Sequence, residues 1–143
     1  MPKAVFDTVV FVRALLDSRS ASGRLIFEQP SRYRLFLSTP VIEEVLDVLG
    51  RKELIDRFHL KQTDYPGAIK RLLKSMERAE IVEFTEIRAV SRDPKDDKIL
   101  ATAKAADADF LVSADRDILD LKEYEGIKII SAETFLKILE EKK

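Results

Sequence analysis

Asp7, Glu44, Asp97 and Asp115 are the residues of this sequence whose type and placement could do chemistry. Asp7 comes immediately after the apolar run Lys3-Ala4-Val5-Phe6, and Asp115 stands just beyond Phe110-Leu111-Val112, after Ser113 and Ala114. Asp97 opens the helical stretch Lys98-Ile99-Leu100-Ala101-Thr102-Ala103, which feeds the Phe110 run, and Glu44 falls in the first turns of a helix predicted after Tyr33–Leu37. If the apolar runs are neighbouring parallel strands, four acids from distant parts of the chain meet at one edge of the sheet. That carboxyl edge is where open α/β sheets bind their ligands. Carboxylates crowded together cannot all stay ionised unless a cation screens them, so the convergence predicts a divalent metal. The chain has no Cys and a single His, His59, which excludes disulfides, thiolate sites, Cys nucleophiles and His-rich zinc sites. A metal here would be a hard cation held by oxygen.

Each acid also has an ordinary structural use. Asp96 or Asp97 would cap a helix, where a carboxylate near the N-terminus contributes ~0.5–1 kcal/mol. Asp115 and Asp117, in Ser113-Ala114-Asp115-Arg116-Asp117, are turn-forming types. Glu44 has Glu43 and Asp47 for company on what would be the wet face of an amphipathic helix. Asp7 is the hardest to explain in this way, because an acid at the buried end of a central strand is costly without a partner or a metal. His59 reads as a surface or packing residue, far in sequence from the acids.

The elements that must position these residues follow from the hydrophobic pattern. At 143 residues the chain is expected to be a single domain, 1–143. Short apolar runs alternate with segments of helical period, the pattern of βαβ units around a parallel sheet. Strands are predicted at Lys3–Phe6, Tyr33–Leu37, Ile81–Phe84, Phe110–Val112 and Lys128–Ile130. Helices are predicted near Val9–Asp17, Gly23–Glu28, Pro40–Leu49, Lys52–Phe58, Asp64–Ala79, Asp97–Ala106 and Ala132–Glu140. Thr39 before Pro40 reads as an N-cap followed by a proline at the first helical position, and Ser131 opens the last helix. No repeat, low-complexity tract or linker divides the chain. No apolar run approaches 18 residues and no secretory leader opens the sequence, so a cytoplasmic protein without membrane contact is expected.

Lys plus Arg is 25 and Asp plus Glu is 26, which removes bulk charge as an argument for nucleic-acid or membrane binding. Locally the balance shifts. Residues 51–78 carry eight basic groups (Arg51, Lys52, Arg57, Lys61, Lys70, Arg71, Lys74, Arg78) against four acids (Glu53, Asp56, Asp64, Glu77), whereas acids concentrate from Asp93 onward. Read functionally, that is a basic rim beside an acidic pocket, as a metal-dependent enzyme acting on polyanions would want. Read structurally, both are solvated faces.

Taken in order, Asp7-Thr8 after a first strand, Ser38 followed six positions later by Glu44, Asp97-Lys98-Ile99-Leu100-Ala101-Thr102-Ala103 and Ser113-Ala114-Asp115-Arg116-Asp117 resemble the motifs of the PIN-domain ribonucleases. The stretch Arg92-Asp93-Pro94-Lys95-Asp96-Asp97-Lys98 and the ending Gly126-Ile127-Lys128-Ile129-Ile130-Ser131-Ala132-Glu133-Thr134-Phe135-Leu136 are similar to the VapC toxins of prokaryotic toxin–antitoxin systems. The resemblance runs from Lys3 to about Leu139. It implies a three-layer α/β fold with a central parallel sheet of about five strands flanked by helices. It also implies Mg²⁺- or Mn²⁺-dependent cleavage of RNA phosphodiester bonds, with Asp7, Glu44, Asp97 and Asp115 as metal-holding catalytic acids. Glu43 is the competing register for the second acid, and Asp93, Asp96 and Asp117 are neighbours. Arg13, Lys98 and Arg116 lie near the motifs as candidate phosphate contacts. A small antitoxin protein is the implied partner, and a homodimer is a further expectation, with apolar faces on the Asp64–Ala79 and Gly23–Glu28 helices available either for that or for core packing.

One position departs from the pattern. The family branch reads Asp-Thr-Asn after the first strand, and here Val9 takes the place of the Asn, whose side chain would orient a carboxylate or a water by hydrogen bonding. A PIN-fold binding module without cleavage is therefore the alternative reading. A phosphoacceptor receiver domain would need a paired acidic cluster near the N-terminus and a late strand-end Lys, and the sequence has only Asp7 early on.

Overall fold

The computed structural model describes residues 1–59, 64–84 and 94–141, with the side chains of His59, Pro94 and Lys95 left out. Asp93, Arg92 and Lys61 thus lie outside the described residues, as does the side chain of His59. Six strands form one sheet: β1 (Lys3–Phe6), β2 (Arg34–Leu37), β3 (Glu80–Ile81), β4 (Phe110–Val112), β5 (Glu123–Tyr124) and β6 (Ile127–Ile130). Their order is β3-β2-β1-β4-β6-β5, parallel except for β5, which pairs antiparallel with β6. The helices are α1 (Thr8–Leu16), α2 (Ala21–Gly23), α3 (Thr39–Leu49), α4 (Lys52–His59), α5 (Tyr65–Met76), α6 (Pro94–Ala105), α7 (Arg116–Leu119) and α8 (Ala132–Glu141).

The central strand explains the core. Ala4, Val5 and Phe6 are all fully buried, as expected where helices cover both faces of a parallel sheet. Phe6 anchors an aromatic cluster with Phe11, Tyr33 and Phe135 at ring-centroid distances of 6.0, 5.3 and 6.2 Å, and Phe110 joins it through Phe135 at 5.3 Å. The Tyr33 hydroxyl donates to the carbonyl of Leu25 at 2.7 Å, so the one polar tip in that cluster is satisfied. On β1 and β4 the register Phe6↔Val112 brings the two carboxyl ends level.

The structure revises several local expectations. The third strand is Glu80–Ile81 rather than Ile81–Phe84, an edge pair whose first residue forms a twofold hydrogen-bonded ion pair with Arg34 at 2.9 and 2.8 Å. The hairpin strand β5 is additional. Its two-residue turn places Glu125 and Gly126 at φ 48° and 86°, and a mirror-image turn of this kind needs two positive φ values, for which Glu-Gly is a weaker signal than Asn-Gly. The stretch predicted as one helix, Gly23–Glu28, begins at Ala21 under a Ser20 cap and continues from Arg24 as a five-residue π-helical turn. Gly23 permits this, since a Cβ there would lie 2.4 Å from the Ser18 carbonyl oxygen. Ser38, not Thr39, occupies the cap position of α3, and its hydroxyl bonds Thr102 Oγ1 at 2.7 Å instead of the helix backbone. Leu25 and Ile26 of the π turn, with Leu72 and Met76 of α5, are buried in the core.

Candidate active site

The sheet reverses its winding at β1: β2 and β3 lie to one side, β4 and β6 to the other. Chain connections diverge at such a point and leave a crevice outside the strand ends. Asp7 and Ser113 occupy it, one residue past β1 and one past β4.

Asp7 performs three tasks at once. Its backbone N–H donates to Val112 O at 3.0 Å, continuing the β1–β4 ladder. Its Oδ1 accepts from Val10 N at 3.3 Å and caps α1, and its Oδ2 accepts from the Ser113 hydroxyl. The same Ser113 oxygen accepts from Asp115 N at 2.9 Å, and Asp115 Oδ1 accepts from Asp117 N at 2.8 Å, which caps α7. Both the turn-forming and the capping roles of Asp115 are therefore real, and neither prevents its second oxygen from facing a ligand. Next to Asp7, the Thr8 hydroxyl donates to Glu44 Oε2 at 2.8 Å, which ties α3 to the start of α1. Asp97 is buried in the first turn of α6, the helix that packs on β1, β2 and β4 and is joined to the Ser38 cap through Thr102.

With 5% of its surface exposed, Asp7 is raised to a pKa of about 6. Loss of hydration is the main cause; the Ser113 hydroxyl and the N–H groups of Val10 and Val9 pull the other way, and the charge of Asp115 adds to the rise. A buried, hydrogen-bonded carboxylate that is reluctant to ionise beside a second carboxylate is electrostatically unfinished, and a cation is the natural complement.

Among the described residues, Asp96, Asp115 and Asp117 each place one carboxylate oxygen within 4.8 Å of the others. Oxygens around an octahedral Mg²⁺ at about 2.1 Å are at most about 4.2 Å apart, so closing this group on an ion takes movements of a few tenths of an ångström. The all-oxygen donor set suits a hard divalent cation. Of the four sequence-predicted acids, the structure thus links Asp7 to Asp115 through Ser113, places Glu44 one hydrogen bond from Thr8, and buries Asp97 in the first turn of α6. Asp115 alone of the four belongs to the tight group. Asp96 and Asp117, expected as neighbours, complete it. Ser113, through a single oxygen, serves two acids and ties Asp7 to Asp115.

Val9 is 37% exposed on the first turn of α1, and its side chain offers the site no hydrogen bond. Arg13 and Arg116 are exposed and Lys98 is half-buried. The anticipated basic rim is divided: Ser75 and Arg78 share a crevice with Met1 and Tyr33, residues that precede β1 and β2, so the end of α5 lies at the amino edge of the sheet, away from the acids.

A doubly wound α/β domain with carboxylates converging at its switch point is what fold and site define together. The chain belongs to the PIN domain family, whose model matches residues 3–117. No curated protein matches it in sequence. Among solved structures it is similar to PAE2754 from Pyrobaculum aerophilum, with a TM-score of 0.62 and 18% identity over 99% of this chain and 90% of that one. It is also similar to a chain of VapBC2 from Rickettsia felis, solved bound to a DNA fragment from the promoter of that pair, with a TM-score of 0.61 and 15% identity over 90% of this chain and 98% of that one. No helix among the described residues is long and apolar enough to cross a membrane.

Proposed function

We propose that this protein is a metal-dependent endoribonuclease and the toxin of a toxin–antitoxin pair. The observation that carries the reading is the close group of Asp96, Asp115 and Asp117, joined to Asp7 through Ser113 at the switch point of a PIN fold. Asp7, Glu44, Asp97 and Asp115 would hold the cation, with Asp96 and Asp117 beside Asp115 adding to the negative field. A Mg²⁺ or Mn²⁺ ion bound there would supply Lewis acidity to the scissile phosphate and lower the pKa of water. The chain's own contributions are distinct from that. Ser113 fixes the carboxylate of Asp7 and the backbone of Asp115 in one register, and Thr8 holds Glu44 facing the same crevice. Arg116, at the start of α7 between two of these acids in sequence, is available to a phosphate oxygen. No side chain is required as a nucleophile.

Single-stranded RNA should be cut in Mg²⁺ or Mn²⁺, the cutting should stop with EDTA, and Asp97→Asn should lose most activity while keeping its fold. Cleavage that persists in well-folded, nuclease-free Asp97→Asn would overturn the assignment. The likeness to a VapBC2 chain favours a small antitoxin as partner, which would copurify on coexpression and suppress cleavage. Homodimerisation is part of the same reading and is read out by light scattering.

Val9 supports a second reading, a PIN-fold module that binds RNA or protein without cutting, because an exposed valine replaces a hydrogen-bonding side chain beside Asp7. If the native protein is inert, Val9→Asn should restore cleavage under the first reading and leave the protein inert under the second.

A further inference from the structure

One strongly charged surface takes no part in the acid site. Arg71, Lys74 and Arg78 recur at i, i+3 and i+7, a spacing that puts them in one stripe along α5 and its extension. The stripe forms one wall of an open groove of about 670 Å³, and the other wall is Phe27 of the π-helical turn and Pro30 just after it. The Arg71 guanidinium stands 5.0 Å from the centre of the Phe27 ring. Glu77 is the acid among the lining residues. Several exposed cations elsewhere are paired: Arg24 with Glu28 and Glu140, Arg34 with Glu80, Arg51 with Asp47, and Lys104 with Glu125. Among the described residues no such ion pair involves Arg71, Lys74 or Arg78, so three like charges stand along this wall against the single acid Glu77.

We propose that this groove binds single-stranded RNA at a point remote from the acids, holding a part of the strand that is not being cut. The inference rests on the nuclease reading for the identity of the ligand, and the groove's own features point the same way. Three successive cations suit a chain of phosphates. A guanidinium held against a ring on one side leaves its other face open to a base, an arrangement that single-stranded nucleic acid exploits by stacking. A peptide carboxylate would instead seek the edge of the guanidinium, where the paired donors lie.

The test is equilibrium binding of a fluorescently labelled single-stranded RNA of mixed sequence, in EDTA so that nothing is cut, across a salt series. Arg71→Gln/Lys74→Gln/Arg78→Gln should weaken binding about tenfold or more and flatten the logarithmic salt dependence by about 2, the value for three lost phosphate contacts on a single strand. Arg71→Lys, which keeps the charge and loses the planar group, should keep the salt slope and still weaken binding. The triple variant should fold normally by circular dichroism and, where the native protein cuts, should cleave a dinucleotide at the native rate. Binding of the triple variant indistinguishable from native would overturn the proposal, as would native affinity for RNA combined with selective loss of polyglutamate binding, which would assign the groove to an acidic protein partner. Because the binding arm uses no metal, absence of cleavage by the native protein would count against the nuclease reading and leave the groove's test intact.

Discussion

The carboxyl edge of the sheet and the α5 flank carry opposite charges, and they differ more deeply in how those charges are housed. At the carboxyl edge Asp7, Asp96 and Asp97 are buried and Asp115 is half-buried; on the flank Arg71, Lys74 and Arg78 stand in water. An exposed cation costs the fold almost nothing, so a count of lysines and arginines says little about function. A buried acid is destabilising unless hydrogen bonds or a cation compensate it, so its presence needs a reason. The two regions should therefore answer to substitution in opposite ways.

The largest expected effect falls on catalysis. Asp115→Asn removes a charge from the tight acid group and a neighbour of Asp7 while keeping an acceptor for Asp117 N, and it should reduce metal-dependent cleavage by roughly 100-fold or more with little change in melting temperature. A melting temperature that collapses instead would make Asp115 chiefly a cap for α7.

Next comes stability, with the sign set by Asp7. Its folded pKa of about 6 exceeds the ordinary 3.8, so the folded chain holds the proton more tightly than the unfolded one. The stability this gives is fully present below about pH 4 and is lost as the pH rises through about 6. At pH 7 without metal, Asp7→Asn should be more stable than native by about 3 kcal/mol in urea unfolding, and the gap should shrink toward zero at pH 4. Added Mn²⁺ should stabilise the native protein more than the variant. A destabilised variant at pH 7 would show that the carboxylate is already fully compensated by Ser113 and the α1 amides.

A smaller effect is expected at Thr8→Val, which removes the hydrogen bond to Glu44 and should cost about 1 kcal/mol. The smallest is on the flank: neutralising Arg71, Lys74 and Arg78 should leave stability within about 0.5 kcal/mol of native, and a large loss would mean that the stripe is structural.

Much of this was legible in the order of residues. An apolar run ending in an acid marks a strand whose carboxyl end carries chemistry, and Asp7 and Asp115 are read that way. The parallel alternation of β1, β2, β4 and β6 with helices follows from hydrophobic period. What the order of residues hides is rotation and edge. Asp96 and Asp97 are one position apart, a turn of about 100° on a helix, and no spacing argument says which of the two faces Asp115. Charge summed along 51–78 does not reveal that Arg78 lies at the amino edge, because that depends on where α5 ends in space. Thr39 looks like the helix cap in sequence, yet Ser38 holds that position and the three-dimensional proximity of Thr102 diverts its hydroxyl. The β5 hairpin escapes notice because Glu125 adopts a positive φ that its residue type does not advertise.

The claim on which everything else depends is that the acids of the carboxyl edge hold a divalent cation. Calorimetric titration of the native protein with Mn²⁺ tests it most directly, set beside Asp7→Asn and Asp115→Asn at pH 7 and repeated at pH 5. The account predicts binding at pH 7 that weakens in both variants, and native binding that weakens about tenfold at pH 5 because a proton on Asp7 then competes with the ion. Equal Mn²⁺ affinity in native and variant proteins, unchanged between the two pH values, would contradict it.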